Sequence, residues 1–159
     1  MSSKVLCNLV RTAVIMVAIC GIIVCYYLLP SLGTFIKDNN PGYANFYFPW
    51  LIFLWVTIVP GFVVLVFIWK VSTAIKLDTV FTLKTASFFS KCTVILFCDV
   101  VFFFAGNIVF LMLGLNHVFI LFLSLIAGIF GITLTVLMAL FSRYLTKAAT
   151  LQEEVDSIV

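Results

Sequence analysis

The sequence predicts an all-α integral membrane protein, a bundle of four transmembrane helices, and three observations support this fold class. The chain of 159 residues is 65% hydrophobic and only 9% charged. Its mean hydropathy is +1.31, and its apolar residues gather in four long runs. Soluble domains carry roughly 25% charged residues, so a chain this short lacks the polar groups to cover its apolar surface. Composition therefore excludes a soluble enzyme, a disordered chain and a disulfide-stapled secreted peptide.

Each apolar run is long enough to cross a bilayer as a helix. The runs have 21 to 24 residues and cover positions 12–32, 48–69, 92–114 and 118–141. At about 1.5 Å of rise per residue, each spans slightly more than the roughly 30 Å of hydrocarbon in a bilayer. The first run exceeds the roughly 7–15 apolar residues of a signal peptide, so a retained helix is predicted. Residues 1–159 form a single transmembrane domain in this interpretation.

The basic residues predict the orientation of the bundle. Eight of the nine lie before the first run, between the second and third runs, or after the fourth. The positive-inside rule then places both termini in the cytoplasm, with a cytoplasmic elbow at 70–91 and a cytoplasmic tail at 142–159. In the elbow, Thr79 or Thr82 is expected to cap a helix that continues into the third span. The short connection at 114–117 predicts an outer hairpin of the third and fourth helices.

The net charge of +3 requires no nucleic-acid partner. Basic residues at the rim of a membrane protein face the anionic inner leaflet. The lipid bilayer is therefore the partner that the composition predicts, and direct nucleic-acid binding is not expected.

Asp99 is the one ionisable residue inside a predicted span. An acid at the centre of a transmembrane helix costs about 2.5–3.5 kcal/mol on insertion scales, so it should face protein or water. Arg11 and Arg143 are the candidate partners, and without a partner desolvation favours the neutral acid. Asp99 is either a proton- or cation-handling acid or part of a structural ion pair or hydrogen bond. Asn107 is a candidate for an interhelical hydrogen bond.

Two features of the apolar runs concern helix shape and packing. Pro60 and Gly61 near the middle of the second run predict a kink, because proline frees a backbone carbonyl. Small residues recur at four-residue spacings in the fourth run and predict a face that another helix approaches closely. That helix belongs either to the same chain or to a second copy, so a homodimer is possible. The members of this face are Ser124, Gly128, Gly131 and Thr135, with Ala127 beside them.

Cysteine and histidine usage gives no sign of a metal, a cofactor or catalysis. The chain has five cysteines, one histidine and no Cys-x-x-Cys motif, which supports neither a disulfide framework nor a zinc site. No spacing of histidine, cysteine, serine and acids makes a catalytic constellation. The sequence therefore predicts no catalytic residue, no cofactor and no enzyme.

The tail is expected to prolong the fourth helix and then to fray, because acids near a helix C-terminus oppose its dipole. Glu153 and Glu154 are followed by the apolar residues Ile158 and Val159. Such an end is either a flexible terminus or a docking segment for a partner.

Several short motifs occur in a recognisable order along the chain. They are Leu28-Leu29-Pro30, Trp69-Lys70, Ile75-Lys76-Leu77-Asp78, Phe81-Thr82, then Leu145, Ala148, Leu151, Glu153, Glu154 and the ending Asp156-Ser157-Ile158-Val159. In this order they resemble the small bacterial membrane proteins grouped as domain of unknown function family 2975, whose usual ending is Asp-Leu-Thr followed by Ile or Val. The resemblance implies a four-helix bacterial inner-membrane protein, often encoded beside a small Cro-repressor-like helix-turn-helix regulator. It implies no enzyme activity, cofactor or catalytic residue.

Two functional hypotheses follow from these features. The first is a non-enzymatic membrane regulator whose elbow and tail bind a cytoplasmic partner, such as a helix-turn-helix transcription regulator. The second is a small transporter, channel subunit or immunity-type membrane protein that uses Asp99.

Overall fold

A computed structural model describes residues 3–77 and 79–158, and these residues form helices and short connections without a strand. The helices are α1 (Ser3–Ile23), α2 (Leu29–Asn39), α3 (Tyr47–Lys76), α4 (Leu83–Met112) and α5 (Val118–Ile158). A π-helical turn, Val24–Leu28, joins α1 to α2, so that Ser3–Asn39 is one long helix. Four helical stretches are long and apolar enough to cross a membrane. The prediction of an all-helical, multi-pass membrane protein is confirmed.

Successive helices pack antiparallel, as the contacts between them demonstrate. Trp55 of α3 donates a hydrogen bond to the carbonyl of Cys25 in the π-helical turn. Ser72, later in α3, accepts a hydrogen bond from Arg11, which lies earlier in the chain, in α1. Between α4 and α5, Gly128 faces Phe104 and Gly131 faces Val100. The residue number rises in α5 as it falls in α4, so the two helices are antiparallel. Between α3 and α4, the rings of Phe67 and Phe88 meet at one end and those of Phe53 and Phe103 further along. Three antiparallel pairings bring both ends of the described chain to one end of the bundle, which we call the terminal end.

The π-helical turn has a cause in the sequence. Pro30 lies in the first turn of α2 and has no backbone N–H to donate. The N–H of Leu29 reaches back to the carbonyl of Val24, five residues earlier, which widens the turn. The indole Nε1 of Trp55 donates to the carbonyl of Cys25 at 3.2 Å. A side chain of α3 therefore satisfies a backbone group in the irregular turn.

The connection between α3 and α4 is shorter than the predicted elbow at 70–91. α3 continues to Lys76 and α4 begins at Leu83, so most of that segment is helix. Thr82 is the N-cap of α4, and its Oγ1 accepts from the N–H of Thr85 at 3.3 Å. Of the two predicted caps, Thr82 fills the role. The segment at 70–91 is therefore mostly helical, and α3 and α4 both extend beyond the apolar runs.

The connection between α4 and α5 ends α4 in a Schellman arrangement. Gly114 has a φ of +69°, which favours glycine. Its N–H donates to the carbonyl of Leu111 at 3.0 Å, and that of Leu115 donates to Phe110 at 2.9 Å. The Nδ1 of His117 then accepts from the N–H of Phe119 at 3.3 Å, in the first turn of α5. His117 thus has a structural role at the start of α5.

Four helices contribute nearly fully buried side chains at the terminal end. Small or hydroxyl side chains there are almost fully excluded from solvent and come from α1, α3, α4 and α5. They are Cys7 at 1% exposure, Ser72 at 0%, Thr85 at 2%, Ala86 at 3% and Ala149 at 1%. Small residues let the helix backbones approach closely, so this layer closes the end of the bundle that carries both termini.

Candidate functional site

A cavity of about 470 Å³ lies in the apolar part of the bundle, and Asp99 is one of the residues that line it. The walls come from α2, α3, α4 and α5. Besides Asp99 they comprise Leu29, Leu32, Trp50, Leu54, Thr57, Ile58, Gly61, Leu96, Val100, Phe103, Leu123, Ser124, Ala127, Gly128, Phe130, Gly131 and Leu134. A volume of this size is typical of small-molecule sites, which measure about 300–1,000 Å³. The cavity is the candidate functional site.

Several residues singled out from the sequence meet at this cavity. Asp99 of α4, Gly61 of α3, and Ser124, Gly128 and Gly131 of α5 all line it. They lie far apart in the chain and share the cavity because α3, α4 and α5 pack side by side at this level. The structure therefore joins the intramembrane acid, the proline-glycine pair and the small-residue face in one site.

Arg11 does not pair with Asp99, so this prediction is wrong. Its Nε donates to Ser72 Oγ at 3.1 Å and its Nη2 donates to Thr73 Oγ1 at 3.2 Å. The guanidinium also lies 5.1 Å from the ring centroid of Trp69, a distance at which a cation and an aromatic face attract each other. These contacts hold Arg11 on α3 at the terminal end of the bundle.

Arg143 is too far along the bundle to reach Asp99. Its neighbour Ser142 donates to the carbonyl of Ala86 at 3.3 Å, which sets the level of Arg143 beside the first turns of α4. Asp99 follows Ala86 by thirteen residues, about 20 Å along a helix and farther than an arginine side chain extends. The pairing predicted from the sequence is corrected, because depth in the bundle separates the two groups.

Asp99 has no hydrogen bond or ion pair from any side chain within residues 3–77 and 79–158. The two hydroxyl residues of the wall are Thr57 and Ser124, and Thr57 Oγ1 donates to the carbonyl of its own helix at Leu54, 2.8 Å away. A carboxyl group in apolar surroundings without a partner is costly as a charged group. A ligand that supplies the missing partner would relieve this cost.

The side chain of Asn107 donates a hydrogen bond within its own helix, in contrast to the predicted interhelical hydrogen bond. Its side chain is buried at 9% exposure, and its Nδ2 donates to the carbonyl of Phe103 at 2.9 Å. The backbone carbonyl of Asn107 accepts from Nδ2 of Asn116 in the α4–α5 connection at 3.2 Å. Asn107 therefore has a structural role at the end of α4 and does not line the cavity.

Pro60 lies inside α3, which runs without interruption from Tyr47 to Lys76. The helix is thus not broken at Pro60 and Gly61. Gly61 has open space where a side chain would point, since nothing lies within 4 Å of a Cβ built there. The lack of a side chain at Gly61 contributes directly to the volume of the cavity.

The small-residue face of α5 packs against α4 of the same chain. A methyl group at Gly128 would overlap the ring of Phe104, and one at Gly131 would lie 3.0 Å from Val100 Cγ2. Thr135 is buried at 9% exposure, and its Oγ1 donates to the carbonyl of Gly131 at 2.8 Å. Intramolecular packing, one of the two roles left open by the sequence, is thus observed for Gly128 and Gly131 of this face.

Two of the four residues predicted for docking, Glu153 and Glu154, have described side chains at the terminal end of α5. Beyond Ala149, every side chain from Thr150 to Val155 is exposed while the helix continues to Ile158. Leu151 and Val155 are each 61% exposed and lie one turn apart, on one face of the helix. Glu153 and Glu154 are exposed between them. The side chain of Ile158 and the whole of Val159 lie outside the described part of the chain.

The described part of the chain holds no group of three histidine, cysteine, aspartate or glutamate side chains close enough to bind a metal ion. The three aromatic residues that line the cavity, Trp50, Phe103 and Phe130, and the hydroxyl residue Thr57 were missed by reasoning from the sequence. Hydroxyl residues within apolar runs, such as Thr57, were the available signal. Trp50, Phe103 and Phe130 carried none, since aromatic residues occur throughout this chain.

Comparisons with known proteins place the chain in a family. No curated protein and no solved structure matches it. A family model described as a protein of unknown function, DUF2975, matches residues 31–159. The matched region includes α3, α4 and α5 and the whole wall of the cavity except Leu29. With this match over most of its length, the chain belongs to the DUF2975 family.

Proposed function

We propose that the protein is a non-enzymatic regulator in the bacterial inner membrane that holds a cytoplasmic partner at its terminal end. The observation that carries this proposal is the end of α5. The helix continues past the buried residue Ala149, and all side chains from Thr150 to Val155 are exposed. A helical end whose side chains are exposed in this way is accessible to a partner.

The chemistry of this end favours a partner with a basic surface. Leu151 and Val155 supply an apolar contact, as in helices that dock through residues at positions i and i+4. Glu153 and Glu154 add negative charge near the C-terminus of α5. Acids there oppose the helix dipole. A partner with a basic surface would be attracted to this negative charge.

A helix-turn-helix transcription regulator fits this description. DNA-binding proteins have a basic surface that contacts phosphates, and an acidic helix end competes for such a surface. The family that the chain resembles is often encoded beside a small helix-turn-helix regulator, and this resemblance supports the same partner. The α3–α4 connection adds exposed Leu77 and Phe81 at the same end, at 66% and 55% exposure.

The test is purification of the tagged full-length protein from its native membranes in mild detergent, with mass spectrometry of bound proteins. The matched variants are Leu151→Ser and Leu113→Ser, whose side chains are 61% and 63% exposed at opposite ends of the bundle. A helix-turn-helix protein that is retained by wild type and Leu113→Ser and lost from Leu151→Ser is the expected result. Retention by Leu151→Ser and by a chain ended after Ala149 would refute docking at α5.

A second candidate function is transport of a small solute or ion, as a transporter, channel subunit or immunity-type protein. The cavity lined by Asp99 and walls from four helical segments favours it. Asp99→Asn should then abolish flux in proteoliposomes, or protection in cells, while the protein stays inserted. Unchanged flux in that variant would exclude this role.

A further inference from the structure

We infer that the cavity around Asp99 binds a hydrophobic organic cation, whose charge pairs with the Asp99 carboxylate while its apolar body fills the space between α2, α3, α4 and α5. The inference concerns binding alone. It does not depend on docking at α5, and it holds whether or not the ligand crosses the membrane.

The sign of the ligand's charge follows from the lining. Among the residues that line the cavity, all within the described part of the chain, Asp99 alone carries a formal charge. Arg11 donates hydrogen bonds to Ser72 and Thr73, and Arg143 lies at the terminal end of the bundle, so neither arginine lines the cavity. The cavity therefore has an uncompensated carboxyl group, which a cation stabilises in its charged form and an anion does not.

The apolar character of the ligand follows from the walls. Leucine, isoleucine, valine, phenylalanine and tryptophan residues make up most of the lining, and three of these residues, Trp50, Phe103 and Phe130, are aromatic. Aromatic faces attract organic cations, most strongly when water is excluded. An inorganic ion such as Ca²⁺ requires about six to eight oxygen ligands, whereas the side chains here provide one carboxyl group and the hydroxyls of Thr57 and Ser124.

The route of entry is lateral, from the bilayer. Phe130 and Leu123 line the cavity and are also 65% and 43% exposed on the outer surface of the bundle. The cavity thus borders the surface that faces lipid. Hydrophobic cations partition into membranes, so such a ligand reaches the cavity from the phase in which it concentrates.

The test uses two probes of the same shape and opposite charge, tetraphenylphosphonium and tetraphenylborate. Equilibrium dialysis measures their binding to the full-length protein in nanodiscs of zwitterionic lipid, with empty nanodiscs subtracted. The inference predicts saturable binding of the phosphonium and none of the borate. Equal binding of both probes would overturn the inference, because the cavity would then accept apolar groups without regard to charge. Binding of neither probe would also overturn it, because the cavity would then be filled by lipid chains.

Four substitutions locate the binding site, and they include one control and one reserve variant. Asp99→Asn should weaken phosphonium binding by a factor on the order of ten or more, whereas Asp38→Asn, which removes an exposed acid of α2, should leave it unchanged. Ala127→Phe fills the cavity and should abolish binding with Asp99 intact. If Asp99→Asn does not fold, Asp99→Glu keeps the charge and should bind. Full phosphonium binding by Ala127→Phe would refute the site.

Discussion

Arg11 and Ser72 connect α1 to α3 through a hydrogen bond of 3.1 Å from the guanidinium Nε to the serine hydroxyl. Ser72 is fully buried, and its Oγ in turn donates to the carbonyl of Trp69 at 2.7 Å. The same guanidinium lies over the Trp69 ring. One arginine thus contacts both the hydroxyl and the aromatic ring of a single turn of α3.

Arg11→Gln should therefore destabilise the bundle. The substitution removes a charged donor from Ser72 and the cation over Trp69. Hydrogen bonds to charged groups contribute about 1.5–3 kcal/mol, so a loss of about 1–2 kcal/mol is expected for this half-buried group. Thermal unfolding in detergent measures it, and Arg143→Gln, at an exposed position of α5, is the control. Equal melting temperatures of the two variants would contradict the prediction.

Gly106→Ala should destabilise the contact between α3 and α4. A methyl group there would overlap the ring of Phe53, which already packs against Phe102, Phe103 and Phe110 at centroid distances of 5.5, 6.0 and 5.4 Å. Overpacking typically costs about 1–3 kcal/mol. The melting temperature should fall, and Phe53→Leu in the same chain should restore part of it. Gly61→Ala, where a methyl meets open space, should melt no lower than wild type.

Gly128→Leu should lower stability without changing the oligomeric state. Gly128 faces Phe104 of the same chain, so a larger side chain separates α4 from α5. Light scattering coupled to size-exclusion chromatography measures the mass of the wild type and the variant, and thermal unfolding measures stability. A wild-type dimer that becomes a monomer in the variant would instead assign this face to an interface between copies.

Thr82→Ala should loosen the start of α4. The Oγ1 of Thr82 accepts from the N–H of Thr85, and loss of an N-cap costs about 1 kcal/mol. Hydrogen exchange of the amides in the first turn of α4 should accelerate. Thr82→Asp restores an acceptor at the cap and should return the exchange rates toward those of wild type. Equal exchange in the alanine and aspartate variants would exclude a capping role.

Asp99→Asn should leave the stability of the ligand-free protein unchanged within about 0.5 kcal/mol or raise it. The reason is that no side chain in the described ranges pairs with Asp99, and removal of an unpaired, half-buried acid breaks no interaction within the fold. Thermal unfolding in zwitterionic detergent checks this. A loss above about 3 kcal/mol would indicate a structural ion pair and would also argue against the proposed cation site.

The number of membrane-spanning stretches and their helical type were determined by the sequence alone. Four uncharged or nearly uncharged runs exceed the thickness of a bilayer, and only helices satisfy every backbone group in lipid when no barrel pattern is present. The capping role of Thr82 was likewise predictable, since a threonine before a helix has a local function. Helix formation and capping depend on residues that are close in the sequence, so composition and hydropathy pattern predict these local features.

The tertiary structure decided which residues share a site. The level of each side chain in the bundle depends on where each helix begins, and α3 and α4 extend to Lys76 and back to Leu83, beyond the apolar runs. That extension holds Arg11 beside Ser72 and away from Asp99. Hydropathy marks only the part of a helix that lies in lipid, and it contains no information on the register between helices. The cavity around Asp99 arises from that register, because the antiparallel packings of α3 on α4 and of α4 on α5 bring these helices to one depth.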